Sequence, residues 1–329
     1  MVVSKVAVVG CGNWGKNLVR NFARQGALGV VCDSDPKRLD LMRREYPGVE
    51  VADRFEDVLT NRDVKAIVIA TPCDSHFPLA KQSLLAGKHV YVEKPLARDV
   101  RHAEELDQLA NERNLILMVG HLLLYHPAVN CLKELIASGE LGELLFVRSD
   151  RMNFNLGRRD WSVLWDLAPH DLSMMSYILD CDLTEVNRVG GWDTQGDGVV
   201  DVAYLDLFFP VRGRTIPGQV RNSWIDPQKV VRLTVNGSLK TAVLNDAQTE
   251  NKLALHSQTA EGRMVVEYPE YPGVEPLHLE CEHFLKCLET GERPRTDANN
   301  AYQVVSLLAD VEERLSRKPN LVATGNLQR

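Results

Sequence analysis

The feature that most constrains the fold of this chain is a glycine-rich turn near its amino terminus. The turn, GCGNWG at residues 10–15, follows the apolar run KVAVV and precedes the helical pattern NLVRNFARQ. Between a strand and a helix, Gly10 allows the tight turn, Gly12 lets the backbone approach a pyrophosphate, and Gly15 lets the helix pack closely. The helix amino terminus then faces the phosphates. The sequence therefore predicts a dinucleotide site at this turn.

An acidic residue after the second predicted strand indicates which dinucleotide binds. The run LGVVC at residues 28–32 is followed by Asp33, where a carboxylate can accept both ribose hydroxyls of an adenosine and repel a 2′-phosphate. We therefore expect NAD rather than NADP as the cofactor. Two alternatives remain: Asp33 is an ordinary turn residue before Asp35, or Arg38 permits some use of NADP.

The hydrophobic pattern changes part-way along the chain. Short apolar runs alternate with helical patterns as far as residue 120, which predicts a Rossmann-type doubly wound parallel sheet. From about residue 143, longer stretches alternate with period two, as in VVDVAYLDLFF, which predicts a large, mainly antiparallel sheet. Helices are expected at 277–289 and 297–315. We predict a dinucleotide-binding domain at residues 1–122 and a substrate-binding and oligomerisation domain at 123–329.

Composition excludes several classes of protein. The 329 residues are 44% hydrophobic and 25% charged, as in ordinary globular proteins, and the net charge of -7 argues against a nucleic-acid surface. The seven cysteines lack C-x-x-C spacing, which favours reduced thiols, and no cysteine or histidine cluster has metal-ligand spacing. No apolar run approaches the ~18 residues of a membrane span, and no signal peptide fits. We expect a cytoplasmic protein without a metal.

Two strand ends carry further polar residues. Thr71 and Pro72 end one predicted strand, with His76 just beyond, and Glu93 and Lys94 end the next, before Pro95. In an open α/β sheet, ligands bind at the carboxyl ends of the strands, so these residues are expected in the crevice. A surface ion pair between Glu93 and Lys94 is the alternative. A cis peptide bond before Pro95 is also possible on chemical grounds.

A carboxylate and an imidazole lie together in an apolar segment. In WSVLWDLAPHDLSMMS, Asp166 and His170 are four residues apart, an arrangement that lets a histidine exchange a proton near neutral pH. A structural hydrogen bond between them is the alternative. Pro169 suits the first turn of a helix, and we expect a helix terminus beside His170 to keep its ring neutral.

Together these motifs resemble those of the Gfo/Idh/MocA oxidoreductases along the whole chain. The matching segments are VGCGNWG, ATP with His76, the E-K-P tripeptide and DLAPHD. The resemblance implies that Lys94, Asp166 and His170 surround the sugar carbon that exchanges hydride with the nicotinamide, with Lys94 or His170 as the base. It also implies cofactor contacts from the turn and the strand ends; these are Gly10, Gly12, Asn13, Trp14, Gly15, Asp33, Thr71, Pro72, His76, Glu93 and Lys94. Packing against the first helix is the alternative for Trp14.

A narrower resemblance concerns the sugar-nucleotide branch of this family. GHLLLYHP at 120–127, NLG at 155–157, VLWDLAPHD at 163–171 and PLHLECEHF at 276–284 carry it. It implies NAD-dependent oxidation of the 3-hydroxyl of UDP-N-acetylglucosamine or its uronate. An aminotransferase would then install a 3-amino group, for a bacterial surface polysaccharide or lipid A. Whether carbon 6 is an alcohol or a carboxylate stays open.

Candidate substrate residues follow from chemistry. Guanidinium groups match phosphate oxygens in pairs, so Arg151, Arg158 and Arg159 are candidates for the diphosphate, with solvated loop charges as the alternative. Tyr125, Asn153 and Asn155 are candidate sugar contacts. His121 and His283 are interpreted as structural.

Two other functions and one assembly state are considered. The first rival is a dehydrogenase of a free sugar, polyol or glycoside, and the second is a noncatalytic NAD-sensing regulator. Strands such as VVDVAYLDLFF place apolar residues on both faces, so we expect the antiparallel sheet to self-associate into a dimer or tetramer.

Overall fold

The computed structural model describes residues 5–155, 157, 161–183 and 185–316. These residues group into two compact units. The first unit contains residues 5–126 and 274–305, and the second contains 127–273 and 306–316. The boundary between residues 122 and 123 stays a prediction, because compact spatial units need not be independently folding domains.

The elements follow one another in chain order with short connections. As far as residue 120 they are β1 (Lys5–Val9), α1 (Gly15–Arg24), β2 (Leu28–Cys32), α2 (Pro36–Glu45), β3 (Glu50–Ala52), α3 (Phe55–Thr60), β4 (Val64–Ile69), α4 (His76–Leu85), β5 (His89–Glu93), α5 (Val100–Glu112) and β6 (Leu117–Gly120). After them come α6 (Pro127–Ala137), β7 (Leu144–Phe154), α7 (Val163–Leu179), β8 (Glu185–Trp192), β9 (Val202–Val211), β10 (Arg214–Ser223), β11 (Ile225–Gly237), β12 (Thr241–Asn245), β13 (Leu253–Gln258), β14 (Met264–Glu267), α8 (Pro276–Thr290) and α9 (Ala298–Ser316).

The first unit is built on a six-stranded parallel sheet in the order β3-β2-β1-β4-β5-β6. Val6 to Val9 of β1 are at most 5% exposed, because a parallel strand is covered on both faces and favours continuous β-branched residues. This strand order is that of a doubly wound dinucleotide-binding sheet. The predicted Rossmann fold is confirmed.

Residues 274–305, which follow the second sheet in the sequence, pack in the first unit. On α8, Phe284 is fully buried, and its ring centroid lies 6.3 Å from that of Phe22 on α1 and 5.6 Å from that of Tyr91 on β5. Aromatic rings at these separations contribute packing beyond their area. The return segment is therefore part of the core of the first unit.

Some element bounds differ from those predicted. β3, with three residues, is too short to show a period and was not predicted. The sequence pattern predicts a helix from Asp74 to Ala86, but a short 3₁₀ helix, Cys73–Ser75, comes first and α4 begins at His76. The apolar run LILMV predicts a strand from Leu115, but β6 begins at Leu117, because the Leu115 amide donates to the carbonyl of Ala110 and closes the end of α5.

The second unit is built on an eight-stranded sheet in the order β14-β13-β12-β11-β7-β10-β9-β8. β7 and β10 run parallel, and the other neighbours are antiparallel. Burial alternates along β9, and α7 packs against β7, β9 and β10. The predicted large, mainly antiparallel sheet is confirmed.

Helix α7 differs from the sequence expectation in one respect. Pro169 lies well inside the helix rather than in its first turn, so the expectation that His170 sits beside a helix amino terminus is wrong. Proline lacks an amide hydrogen and cannot donate to the carbonyl of Trp165, four residues earlier. The buried surroundings of α7 evidently outweigh this loss, because nearly every residue around Pro169 is buried.

The described residues lack two further kinds of feature. None of their helices has the length and apolarity to cross a membrane. Nor do those residues hold three or more His, Cys, Asp or Glu side chains placed to bind one metal ion.

Candidate active site

In the glycine turn after β1, one glycine has space for a side chain and two do not. Gly10 has a φ of 91°, and a Cβ there would lie 2.8 Å from the carbonyl oxygen of Ala70. A Cβ on Gly15 would lie 1.8 Å from the Gly10 oxygen, whereas one on Gly12 would meet only Arg38, at 3.7 Å. Gly10 and Gly15 are therefore required for packing, and Gly12 leaves the space through which a pyrophosphate can approach.

Asp33, directly after β2, is held by backbone donors. Its Oδ2 accepts from the amide of Cys11 at 2.6 Å, and its Oδ1 accepts from the amide of Asp35 at 2.9 Å. The half-exposed Arg38 places Nη1 3.3 Å from Oδ2. Oδ2 thus accepts from both Cys11 and Arg38, whereas Oδ1 accepts from Asp35 and has a second lone pair with which it can accept a ribose hydroxyl beside the glycine turn. The contact of Asp33 with the cofactor ribose stays a prediction.

Glu93 ends β5 and is held from three elements. Its Oε1 accepts from the indole Nε1 of Trp14 at 2.5 Å and lies 3.4 Å from the Tyr91 hydroxyl. On β6, a Cβ at Gly120 would lie 2.9 Å from its Oε2. Burial raises the pKa of Glu93 to about 7, although the hydrogen bond from Trp14 lowers it. Trp14, which is 39% exposed, therefore ties the start of α1 to the strand end that carries Lys94.

His76 joins the ends of β4 and β5. Its Nδ1 lies 2.8 Å from the carbonyl oxygen of Pro95, and its Nε2 lies 2.9 Å from that of Thr71. Burial lowers the pKa of His76, and a neutral ring donates to one carbonyl at a time. The Lys94–Pro95 peptide bond is cis. These contacts give His76 a supporting role for both strand ends, and its contact with the cofactor stays a prediction.

His121, the residue after β6, is interpreted from the sequence as structural. It is 2% exposed, and neither ring nitrogen meets a hydrogen-bond partner among the described residues. Burial, together with the charge of Lys94, lowers the pKa of His121 to about 3. His121 lies at the carboxyl end of a parallel strand, directly after Gly120. This position, where open α/β sheets bind their ligands, was the sequence signal for a candidate site residue.

Tyr125 lies inside the first unit rather than on an open surface. Its hydroxyl is 3.0 Å from Oγ1 of Thr296, and the guanidinium carbon of Arg295 lies 5.1 Å from the ring centroid. Only 2% of Tyr125 is exposed. Its contacts give no support to the prediction that it touches a sugar.

In the second unit, Asp166 and His170 lie on one face of α7. Residues four apart are neighbours on a helix surface, and both side chains are half-buried while Trp165, Leu167 and Ala168 beside them are buried. The pair therefore stands at an edge of the buried helix, where partial contact with solvent allows a proton to enter and leave.

Arg151 on β7 belongs to a buried polar network. Its Nε donates to Oδ1 of Asp171 at 3.0 Å, and Ser149 Oγ donates to the same oxygen at 2.8 Å. Asn222 Nδ2 on β10 donates to Oδ2 at 2.9 Å. Asp171 is fully buried, and the Arg151 side chain is 12% exposed. Arg151 is therefore not a solvated surface charge, and Asp171, directly after His170, was overlooked in the sequence.

Several buried polar atoms near the ends of β7 and β10 have no partner among the described residues. They are Oδ1 of Asn153, Oδ1 of Asn222 and Nε1 of Trp224. Asn222 pairs with Arg151 across the sheet, and the amide of Asn155 donates to the carbonyl of Trp224 at 2.9 Å. Unpaired buried donors and acceptors are costly unless a ligand or water satisfies them, so this sheet end fits a polar ligand. Two predicted substrate residues, Arg158 and Arg159, lie outside the described residues.

Comparison with protein families identifies both parts of the chain. Residues 4–121 match the oxidoreductase family with an NAD-binding Rossmann fold, and residues 129–243 match the GFO/IDH/MocA C-terminal domain. The chain belongs to the Gfo/Idh/MocA oxidoreductase family. The Gfo/Idh/MocA amino-terminal domain binds NAD, and the open side of Gly12 and the held carboxylate of Asp33 fit that cofactor. The predictions of family and cofactor are confirmed.

Individual Gfo/Idh/MocA relatives differ in what they oxidise. The chain is 29% identical over 196 residues to UDP-N-acetylglucosamine 3-dehydrogenase of Acidithiobacillus ferrooxidans, a match that covers 58% of this chain and 59% of the relative. It is 21% identical to scyllo-inositol 2-dehydrogenase (NAD(+)) of Bacillus subtilis, with 98% of this chain and 94% of that one covered. The solved structure of the Acidithiobacillus enzyme superposes with a TM-score of 0.82 at 22% identity, over 94% of this chain and 97% of that one.

Proposed function

We propose that this protein is an NAD-dependent dehydrogenase that oxidises the 3-hydroxyl of a UDP-N-acetylglucosamine-type sugar nucleotide to the 3-keto sugar. The observation that carries the proposal is the 29% identity to a UDP-N-acetylglucosamine 3-dehydrogenase over 196 residues. The superposition with the same enzyme supports the fold alone at 22% identity. The half-buried Asp166 and His170 on α7 support the chemistry.

The proposed reaction assigns a role to each catalytic side chain. Bound NAD supplies the hydride acceptor. A hydroxyl must lose its proton as the hydride leaves, and a neutral imidazole or amine can take that proton. His170 and Lys94 are the two candidate bases, and whichever is not the base steadies the developing alkoxide. Asp166, one helical turn from His170, orients the imidazole.

The proposed substrate also fits the polar chemistry of the second unit. Arg151 binds Asp171 through Nε, and among the described residues no hydrogen bond occupies its terminal guanidinium nitrogens, so we assign these nitrogens to a ligand. A buried, preorganised guanidinium suits phosphate oxygens, and the unpaired oxygens of Asn153 and Asn222 can accept from sugar hydroxyls. Arg158, Arg159 and Asn155 remain further candidates for substrate contacts.

The test is turnover of two single variants. We expect Lys94→Ala and His170→Ala each to lower NADH formation from UDP-N-acetylglucosamine or its uronate by about a hundredfold or more, the scale for a positioned acid or base. An aminotransferase should trap the 3-keto product, because oxidation of an unactivated alcohol by NAD is unfavourable near neutral pH. NAD affinity, measured by calorimetry, should change by less than about threefold.

Controls come from the same two units. Lys81→Ala on α4 and His256→Ala on β13 remove a charge and an imidazole away from the candidate site, and both should keep near wild-type turnover. Wild-type turnover in His170→Ala would assign the base to Lys94. Wild-type turnover in both variants would overturn the proposed chemistry.

A polyol substrate is the second candidate, favoured by the match to scyllo-inositol 2-dehydrogenase over 98% of the chain. Reaction with a free sugar or polyol but with neither trapped UDP sugar would establish it. NAD binding without NADH formation from any substrate would instead favour an NAD-sensing regulator. The cytoplasmic location, the homo-oligomer and the downstream aminotransferase remain part of the proposal.

A further inference from the structure

His121 is a buried polar side chain whose hydrogen-bonding capacity the described residues leave unused. A neutral imidazole carries one donor and one acceptor. Only 2% of the residue is exposed, and neither nitrogen has a partner among the described residues, so each unmet group destabilises the folded state. A side chain of this kind is retained where a ligand completes its hydrogen bonds.

The order of the strands indicates which part of the cofactor lies near His121. Asp33 follows β2, the glycine turn follows β1, Lys94 follows β5, and His121 follows β6. The adenosine ribose binds at Asp33 and the pyrophosphate at the turn. Strands are spaced about 4.8 Å apart, so an extended dinucleotide continues past β4 towards the ends of β5 and β6. The nicotinamide end therefore lies on the side of the sheet that carries His121.

Contacts within the first unit hold His121 beside β5. Gly120 pairs with Glu93 across the two strands, and a Cβ at Gly120 would lie 2.9 Å from the Glu93 carboxylate. The His121 amide donates to Val119, and its carbonyl accepts from Leu124, so the backbone is fixed on both sides. The imidazole is therefore presented by a rigid strand end and not by a mobile loop.

We propose that His121 binds the nicotinamide end of NAD through a hydrogen bond between its ring and the carboxamide. A carboxamide offers both an acceptor oxygen and donor hydrogens, so either tautomer of the imidazole finds a partner. The depressed pKa of His121 supports this pairing, because a neutral ring does not repel the cationic nicotinamide of NAD. The inference depends on NAD binding and not on the identity of the substrate.

The test compares NAD with ADP-ribose, which contains the rest of the dinucleotide but lacks nicotinamide. Calorimetry on His121→Ala should show about tenfold weaker binding of NAD, as expected for the loss of one hydrogen bond. Binding of ADP-ribose should change by less than about twofold. His121→Asn, which keeps a donor and an acceptor, should recover most of the loss, and His102→Ala on α5 should bind both ligands as the wild type does.

A second measurement needs no variant. In the wild-type protein with ¹⁵N-labelled histidine, NAD should shift the ring nitrogen signals of His121, and ADP-ribose should leave them unchanged. Equal effects of the two ligands, or no effect of NAD, would overturn the proposal. No sugar is present in either experiment, so a negative result would not affect the proposed dehydrogenase function. Conversely, failure of the UDP sugars to react would not affect the proposal that His121 binds nicotinamide.

Discussion

Two carboxylates in this protein are fixed by hydrogen bonds, and they have different consequences. Asp33 is held by the amides of Cys11 and Asp35 and keeps a lone pair on Oδ1 for a ligand. Asp171 accepts from Ser149, Arg151 and Asn222 and is fully buried. Asp33 can therefore bind the cofactor, whereas Asp171 holds the polar side chains of β7 and β10 in place.

At Asp33 we predict a preference for NAD over NADP of at least about tenfold, or ~1.4 kcal/mol of binding free energy. The carboxylate accepts ribose hydroxyls and repels a 2′-phosphate. Titration of the protein with each dinucleotide measures the preference. Asp33→Ser should reduce the preference for NAD over NADP. Arg38→Ala should weaken the binding of NADP more than that of NAD, because Arg38 is the cation beside the carboxylate. Equal or tighter binding of NADP by the wild type would contradict the prediction.

At Asp171 we predict a large loss of stability in Asp171→Asn, of about 3 kcal/mol, because the change leaves Arg151 buried without its counter-charge. The shift of the urea unfolding midpoint, followed by circular dichroism, measures the effect. The control is Asp40→Asn, which breaks the exposed pair with Arg43 and should cost less than about 0.5 kcal/mol. A loss as small as that of the control would show that Arg151 does not depend on Asp171.

At the scale of elements, prediction from sequence was reliable where burial imposes a repeating pattern. The strands of the first sheet are continuous apolar runs, and β9 alternates with period two, so both sheets could be predicted. β3 has too few residues to show a period. The position of Pro169 inside α7 could not be predicted, because tertiary packing there overrides the local preference of proline.

The candidate site was predictable to the extent that its residues lie in sequence motifs. Glu93 and Lys94 follow a strand, and Asp166 and His170 share a helix face, so local spacing identified them. The partners of Arg151 could not be identified, because Asn222 comes from a strand distant in sequence. The environment of His121 could not be predicted for a related reason: whether a buried histidine has partners depends on neighbours that only the folded chain brings together.

The junction of β5 and α1 has a pH dependence of its own. The pKa of Glu93 is raised from 4.5 to about 7, so the folded state favours the protonated carboxyl. Its contribution to stability is present below about pH 4.5 and is lost as the pH rises through about 7. The unfolding free energy should therefore fall as the pH rises from about 4.5 to about 7, and Glu93→Gln should remove this fall. Urea titrations at several pH values measure the effect. In the folded wild-type protein, the fluorescence of Trp14 should change with pH with a midpoint near 7, and this transition should be absent in Glu93→Gln. A fluorescence midpoint near pH 4.5 in the wild type would contradict the raised pKa of Glu93.

At the scale of the whole molecule, one face of the second sheet combines aromatic and charged groups. Asp150 on β7 lies 3.1 Å from Arg148 and 3.3 Å from Arg221, and Arg221 lies over the ring of Tyr204. On the same face, Phe154 and Phe208 are 64% and 41% exposed. Exposed aromatic side chains and ion pairs on one sheet face are features of a protein interface.

We therefore expect self-association through this face, with a mass by light scattering of at least twice the 36.9 kDa of one chain at micromolar concentration. Phe208→Asp and Phe154→Asp should each weaken the assembly by about tenfold or more, because either change would bury an unpaired charge in the contact. Leu41→Asp, at an exposed apolar position on α2, is the matched control and should leave the mass unchanged. A wild-type monomer would contradict the prediction.

The return of the chain to the first unit affects how this protein is made. Phe284, which packs against Phe22 and Tyr91, is synthesised only after the whole of the second sheet. A ribosome therefore exposes the nucleotide-binding sheet, with an apolar surface uncovered, for as long as it takes to translate about 150 further residues, or roughly ten seconds or more. During that interval the nascent chain presents a hydrophobic site to chaperones that the mature protein hides.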